Sequence, residues 1–204
     1  MSYLYKKILN AILESQKRQN WLFRTMLFGN EVYIRSHFLI FKPKTSLEYY
    51  RVPFTVSGIE YTIKKLDVSY LKALHDFFCR SVDTRSSEFV MPHKTDMGTL
   101  ASIFKRRSYI PLGIFCGNTF IGYALIRLLF PTAASYAIFI AKERQGKGIG
   151  TAALAKELDL INSIGFRPYS AVSKRNERSL KMLKKLKIEF SGELDEYFMV
   201  KDRK

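Results

Sequence analysis

The stretch whose residue types and spacing point most directly to a chemistry is Gln145-Gly146-Lys147-Gly148-Ile149-Gly150-Thr151. Glycines at 146, 148 and 150 let the backbone approach a ligand closely, because no Cβ intervenes. An apolar run over 135–141 precedes them and a helix-periodic run follows, so they sit where a strand hands over to a helix. The first turn of a helix carries N–H groups without intrahelical partners and the positive end of the macrodipole. Together these features make an anion site, and Lys147 adds a charge. A Walker loop is excluded, since no Gly-Lys-Ser/Thr tail stands at the required spacing. A dinucleotide fingerprint fits poorly, because the three glycines do not follow Gly-x-Gly-x-x-Gly and a long stretch of chain precedes them. The plainer alternative is a tight turn whose glycines serve packing.

Stepping outward, the elements needed to hold such a turn can be read from periodicity. Strands are expected over 60–65, 109–116, 119–130, 135–141 and 168–173, with the second and third joined as a hairpin about Gly117-Asn118. Helices are expected over 67–80, 95–105, 148–164 and 176–187, and one or two final strands over 188–200. The run 120–141 is long enough to resemble a membrane span, yet it carries Arg127 and Pro131 and is rich in Ile, Tyr and Phe. Two buried strands explain it better.

Residues 1–58 form a less regular extension. Over 3–28 the pattern is that of a basic amphipathic helix or helix pair, with Leu4, Ile8, Ile12 and Leu13 at helical spacing among Lys6, Lys7, Lys17 and Arg18. Gly29-Asn30 reads as its stop. Residues 31–41 alternate like a strand, and 46–56 suit a short strand that Pro53 confines to an edge.

Composition bounds the class. The chain has 204 residues, 47% hydrophobic, with sixteen Phe and twelve Tyr, which suits a sizeable core and argues against disorder. Thirty-four Lys and Arg against eighteen Asp and Glu give a formal charge of +16, a surface that favours polyanions. Cys79 and Cys116 form neither a disulfide framework nor a metal cluster, so no metal is expected and a reducing cytoplasm is. No secretory signal is evident at the start.

At this point the residues resemble the GCN5-related N-acetyltransferase (GNAT) family. Residues 145–150 match its Gln/Arg-x-x-Gly-x-Gly/Ala pyrophosphate motif. Residues 176–186, beginning Asn176-Glu177-Arg178-Ser179, look like its Asn-x-x-Ser helix, and 61–67 with the following helix are similar to its first strand and helix. The resemblance covers roughly 59–200 and implies an α+β, α/β/α-layered fold. Its mixed, mostly antiparallel sheet would be splayed at the acyl-CoA site, in a domain spanning 59–204. It implies acetyl-CoA, or another acyl-CoA, as co-substrate and direct attack by an acceptor amine. The pantetheine arm would pair with the backbone near Phe139, Ile140 and Ala141. The pyrophosphate would sit on Gly146, Lys147, Gly148, Ile149, Gly150 and Thr151 with Gln145. Asn176 and Ser179 would touch the arm, and an N–H near Ile140 would hold the oxyanion. One or two cations of the basic 174–187 segment would reach the 3′-phosphate of CoA.

The chain departs from the family where proton transfer is concerned. Leu183 stands where a Tyr acid is often found, and Ser135 where a strand Glu is. His93 lies in the segment where the family builds its acceptor pocket and is one candidate base, flanked by the weaker Glu88 and Asp96. Tyr136, on the central strand, is the other candidate, with a core role as its alternative. The acceptor is a small-molecule or protein amine. A longer acyl chain delivered by CoA or by an acidic acyl carrier protein is the alternative donor. A non-catalytic acyl-CoA sensor or a nucleic-acid-binding module is the alternative class. Nucleic acid is the weaker partner, since no RNP-like or zinc motif is present. The extension is expected to dock onto the domain or to form a homodimer through the Trp21–Phe28 cluster, with membrane-surface attachment by the basic helix as the minor alternative.

Overall fold

The computed structural model describes residues 21–40, 47, 49–82 and 93–201. Residues 3–20 of the expected basic helix, and Glu88, lie outside the described residues. Helix α1 spans Trp21–Ile40, followed by strands β1 (Arg51–Val56) and β2 (Ile59–Lys65). Helices α2 (Leu71–Arg80) and α3 (Met97–Lys105) come next. Strands β3 (Tyr109–Cys116), β4 (Thr119–Leu129) and β5 (Ala133–Ile140) lead into α4 (Ile149–Ser163). Then follow β6 (Arg167–Ser173), α5 (Glu177–Lys185), β7 (Glu189–Leu194) and β8 (Tyr197–Lys201).

The eight strands form one sheet in the order β1-β2-β3-β4-β5-β6-β8-β7. Every neighbouring pair is antiparallel except β5 and β6. Strands β4 and β5 are matched from Gly122↔Ile140 to Leu129↔Ala133. By contrast, β5 and β6 pair only at Ala133↔Arg167 and Ala134↔Pro168, so the two strands part from about residue 135 onward. The sheet is therefore α+β and splayed, as expected. The apolar run at 120–141 resolves into β4 and β5, and no described helix is long and apolar enough to cross a membrane. Strand β1, with Pro53, forms the sheet edge, paired over Arg51↔Lys64 to Val56↔Ile59, so the sheet itself begins before residue 59.

Alternation in the strands gives each face its own core. Ile63, Ile110, Leu112, Ile126 and Leu128 meet Leu154, Leu158 and Ile161 of α4 and Ile34 of α1. On the other face Tyr123, Leu125 and Phe139 meet Leu74, Phe77 and Phe78 of α2 and Leu100 and Ile103 of α3.

One expectation fails. Gly29-Asn30 does not stop the helix, and 31–41 is not a strand: α1 runs unbroken to Ile40. The residues that face inward, 27, 30, 31, 33, 34, 37 and 38, recur at helical spacing, and Ile34 is fully buried. Asn30 is a docking residue instead. Its Nδ2 donates to the Leu128 carbonyl at 2.9 Å and its Oδ1 accepts the Phe130 N–H at 2.9 Å. Beside it, the Glu31 carboxylate accepts the N–H groups of Arg107 (2.8 Å) and Ser108 (3.0 Å). Burial pushes the Glu31 carboxyl up, but the bonds from Ser108, Arg107 and Arg35 outweigh it and leave its pKa below the ordinary value.

A second feature has no sequence signature. Glu157 on α4 is fully buried, and neither carboxylate oxygen has a hydrogen-bond partner. Burial holds its pKa well above the usual carboxylate range, which favours the protonated form.

Candidate functional site

The parting of β5 and β6 opens a cleft of about 470 Å³. Its floor is Ile138, Phe139 and Ile140, one wall is 144–146 with 148–151, and the other is drawn from the segment between Arg175 and Lys185.

The first wall takes its shape from Gly148, whose φ of +83° is a left-handed conformation that a side chain rarely adopts. Gly148 N-caps α4 without a side chain to offer, and Ala152 donates the first helical bond, back to the Gly148 carbonyl at 3.1 Å. The N–H groups of Ile149, Gly150 and Thr151 precede that bond and stand at the positive end of the helix. An added Cβ at Gly150 would meet Ile140 at 3.4 Å and Met182 at 3.9 Å, ordinary contacts, so Ala fits there. Lys147 is exposed and does not line the cleft.

The floor offers an unpaired strand edge. The Ala141 N–H donates to the Ile121 carbonyl at 2.9 Å, which turns its backbone towards β4. Strand alternation gives Phe139 the same orientation and turns the N–H and C=O groups of Ile138 and Ile140 towards the gap. The Ile140 carbonyl is met there by Gln145, whose Nε2 donates to it at 2.9 Å. Gln145 Oε1 in turn accepts from Arg178 of α5, so one side chain ties the strand to the opposite wall.

Asn176 begins α5 and is buried. Its Oδ1 accepts the Ser179 N–H at 3.1 Å, capping the helix, which leaves Nδ2 to donate into the cleft. Around the rim, Arg144, Arg175, Arg178, Lys181 and Lys185 outnumber the one acid, Glu177. The cleft is thus a cationic cradle with free backbone donors, suited to an anionic ligand bearing an amide-containing arm.

The other candidate residues lie apart from this cleft. His93 packs edge-on against Phe78 (5.6 Å, 86°) and Tyr123 (5.7 Å, 76°), on the α2 face of the sheet. Its Nδ1 lies 2.9 Å from the Lys94 carbonyl, an acceptor only, so Nδ1 carries the proton. Nε2 then accepts the Tyr123 hydroxyl at 3.2 Å. Burial lowers the His93 pKa and raises that of Tyr123 well above its ordinary value, which keeps the ring neutral and the phenol protonated. Phe78 also stacks edge-on against Phe139 (5.5 Å, 73°), linking this cluster to the floor of the cleft. Tyr136 faces the α4 side, partly buried against the core there. It precedes Ile140 by four residues, roughly 13 Å along the strand, near where β5 and β6 still pair. Asp96 is committed as the N-cap of α3, accepting the Thr99 N–H at 2.9 Å. Leu183 is buried in the core.

Sequence reasoning did not single out Ile138, Tyr123 or the Gln145–Arg178 bridge. The first was available from strand alternation, since Ile138 shares an edge with Ile140. The other two depend on residues 30 and 33 positions apart and left no local signal.

The sequence profile described as "Acetyltransferase (GNAT) family" matches residues 74–187. No curated protein matches the chain by sequence. Among solved structures, the GNAT domain of S. lividans PAT aligns with a TM-score of 0.64 at 14% identity, covering 74% of this chain and 95% of that one. Ribosomal-protein-S5-alanine acetyltransferase from Vibrio fischeri gives 0.60 at 19% identity, covering 74% and 96%. Spermidine N-acetyltransferase from Vibrio cholerae, in complex with CoA and spermine, gives 0.57 at 16%, covering 69% and 92%.

Proposed function

Since the chain belongs to the GNAT acetyltransferase family, we propose that it transfers an acetyl group from acetyl-CoA to a small-molecule or protein amine by direct attack. The observation that carries this reading is the meeting, in one cleft, of the open N–H groups at 149–151 and the unpaired edge of Ile138 and Ile140. The N–H groups and the rim cations hold the pyrophosphate. The edge of β5 pairs with the amides of the pantetheine arm, for which Gln145 must release the Ile140 carbonyl. Asn176 Nδ2 and the Ser179 hydroxyl contact the arm from α5. Acetyl-CoA supplies the activated thioester, and the Ile140 N–H lies on the strand edge where the carbonyl oxygen gains charge.

We assign proton acceptance to His93, which is neutral at pH 7 and whose Nε2 lone pair meets only a hydroxyl. Tyr136 is assigned to packing, given its core contacts and its distance along the strand from Ile140. The free thiols of Cys79 and Cys116 suit a cytoplasmic setting. The cationic rim favours a second reading, in which a longer acyl chain arrives on CoA or on an acidic carrier protein.

A thiol-release assay tests the proposal, with acetyl-CoA, longer acyl-CoAs and an acyl carrier protein offered to polyamines, amino sugars and N-terminal peptides. Acetyl-CoA is expected to be the preferred donor with at least one amine. Preference for a long-chain or carrier-bound donor transfers the assignment to the second reading. CoA binding without turnover of any donor would contradict both.

A further inference from the structure

Arg127 on β4 carries a charge that the fold does not neutralise. It follows Tyr123 and Leu125 at alternate positions, so its side chain stands on the α2 and α3 face of the sheet. The register sets Tyr109 of β3 on one side of it and Ser135 of β5 on the other. Arg127 is partly buried, and its Nε is buried without a hydrogen-bond partner. Its guanidinium lies 5.8 Å from the centre of the Tyr109 ring. Arg106, also partly buried, brings a second guanidinium to 5.9 Å from the same ring. Among the described residues, no carboxylate pairs with either. Glu31, which reaches residues 107 and 108, is committed to their N–H groups and to Arg35, and Asp96 to the cap of α3.

Charges drawn partly out of water are ordinarily paired, so two guanidinium groups around one ring call for an anion. The Tyr109 ring attracts a cation through its π face but supplies no countercharge. The planar fork of an arginine matches a carboxylate or a phosphate, and Ser135 offers a hydroxyl on the same face. Position gives that anion its role. Tyr123, whose hydroxyl meets His93 Nε2, precedes Arg127 by four residues on the same face of β4, roughly 13 Å along the strand. Beside that stretch, Ala137 and Ser135 of β5 are small and partly exposed, on the strand that parts from β6.

We propose that Arg127, with Arg106 and Ser135 beside it, anchors the acceptor, which is therefore an amine bearing a carboxylate or phosphate at the end remote from its nitrogen. The nitrogen lies at His93 and the anion at Arg127, so the acceptor runs along β4 and β5 from one to the other. A polyamine would instead bring a further positive charge to the two arginines. This inference rests on the acetyl-transfer reading and names the acceptor class for that same site.

Matched acceptors test it, offered with acetyl-CoA to the wild type, Arg127→Met and Arg127→Lys: ε-aminohexanoate against its amide, and aminohexyl phosphate against aminohexanol. The wild type is expected to favour the anionic member of at least one pair by about tenfold or more in kcat/KM, chiefly through KM. The pair that shows it tells carboxylate from phosphate. In Arg127→Met that ratio should fall to about one, and Arg127→Lys should keep part of it. Calorimetric titration of the same compounds into the protein, with and without CoA, reads the preference without turnover, so a failure of acetyl transfer and a failure of this inference are told apart. The thermal midpoint of Arg127→Met should equal or exceed that of the wild type, because no partner within the chain is lost. Equal or weaker binding of the anionic member in both pairs, or a preference that survives in Arg127→Met, would overturn the proposal. So would a midpoint that Arg127→Met lowers, which would give the guanidinium a structural role.

Discussion

Asn176 shows how one side chain serves the fold and the site together. Its Oδ1 caps α5 and its Nδ2 is left facing the cleft, so an Asp there would keep the cap and lose the donor. The motif spacing made Asn176, Gly148 and Gln145 legible from the sequence, because their roles depend on the local chain: a cap, a positive φ, a turn. His93 was legible only as a residue type in the right segment. Its tautomer depends on Lys94 next to it, and the partner of its Nε2 is Tyr123, which no local pattern reveals. If His93 accepts the amine proton, His93→Ala should lower kcat by about 10²–10⁴-fold with little change in acetyl-CoA affinity. Its lowered pKa places the acid limb of the wild-type kcat/KM profile below pH 6.5, and that limb should vanish in the variant. Stopped-time assays over a pH series measure both. An unchanged kcat would assign His93 to packing against Phe78 and Tyr123.

Among the elements, β2 to α5 were placed by periodicity, and the edge strand by its proline. Helix α1 was misread because residues 31–41 also alternate apolar and polar, and because Gly-Asn is a common helix end. What decided the matter is tertiary: Asn30 and Glu31 bond to Leu128, Phe130, Arg107 and Ser108, far away in sequence. Glu31→Gln should therefore loosen α1. Gln keeps one acceptor oxygen and turns an amide NH2 donor towards the other N–H, and the buried Ser108 donor left unpaired costs about 1–3 kcal/mol. Because the folded pKa of Glu31 is depressed, its contribution is present above 4.5 and lost as pH falls through the folded value. Denaturant melts at pH 7 should show the loss, and the gap between wild type and variant should close in acid. A variant as stable as wild type at pH 7 would remove Glu31 from the docking of α1.

For the molecule as a whole, the mixed, splayed sheet followed from the order of elements together with two motifs, whereas its internal electrostatics did not. Helical spacing alone leaves Glu157 looking like one more polar position on α4, yet both its oxygens are buried without partners. A carboxyl whose folded pKa is raised contributes fully below the unfolded value of 4.5, and stability falls as pH rises above it. Glu157→Leu removes an uncompensated buried polar group and should stabilise the protein by about 1–3 kcal/mol at pH 7. The thermal midpoint of the wild type should decline from pH 5 towards pH 8 more steeply than that of the variant. Parallel declines would mean that the carboxyl finds a partner in solution.

The central claim, that the turn at 145–151 and the facing helix α5 grip the pyrophosphate of CoA, is tested most directly by calorimetric titration of CoA into wild type, Gly150→Ala and Gly148→Val. Saturable one-to-one binding by wild type and Gly150→Ala is predicted. Gly148→Val, with a side chain forced onto a φ of +83°, should lose it while retaining the wild-type circular dichroism. Absence of heat with the wild type, or equal affinity in Gly148→Val, would contradict the account.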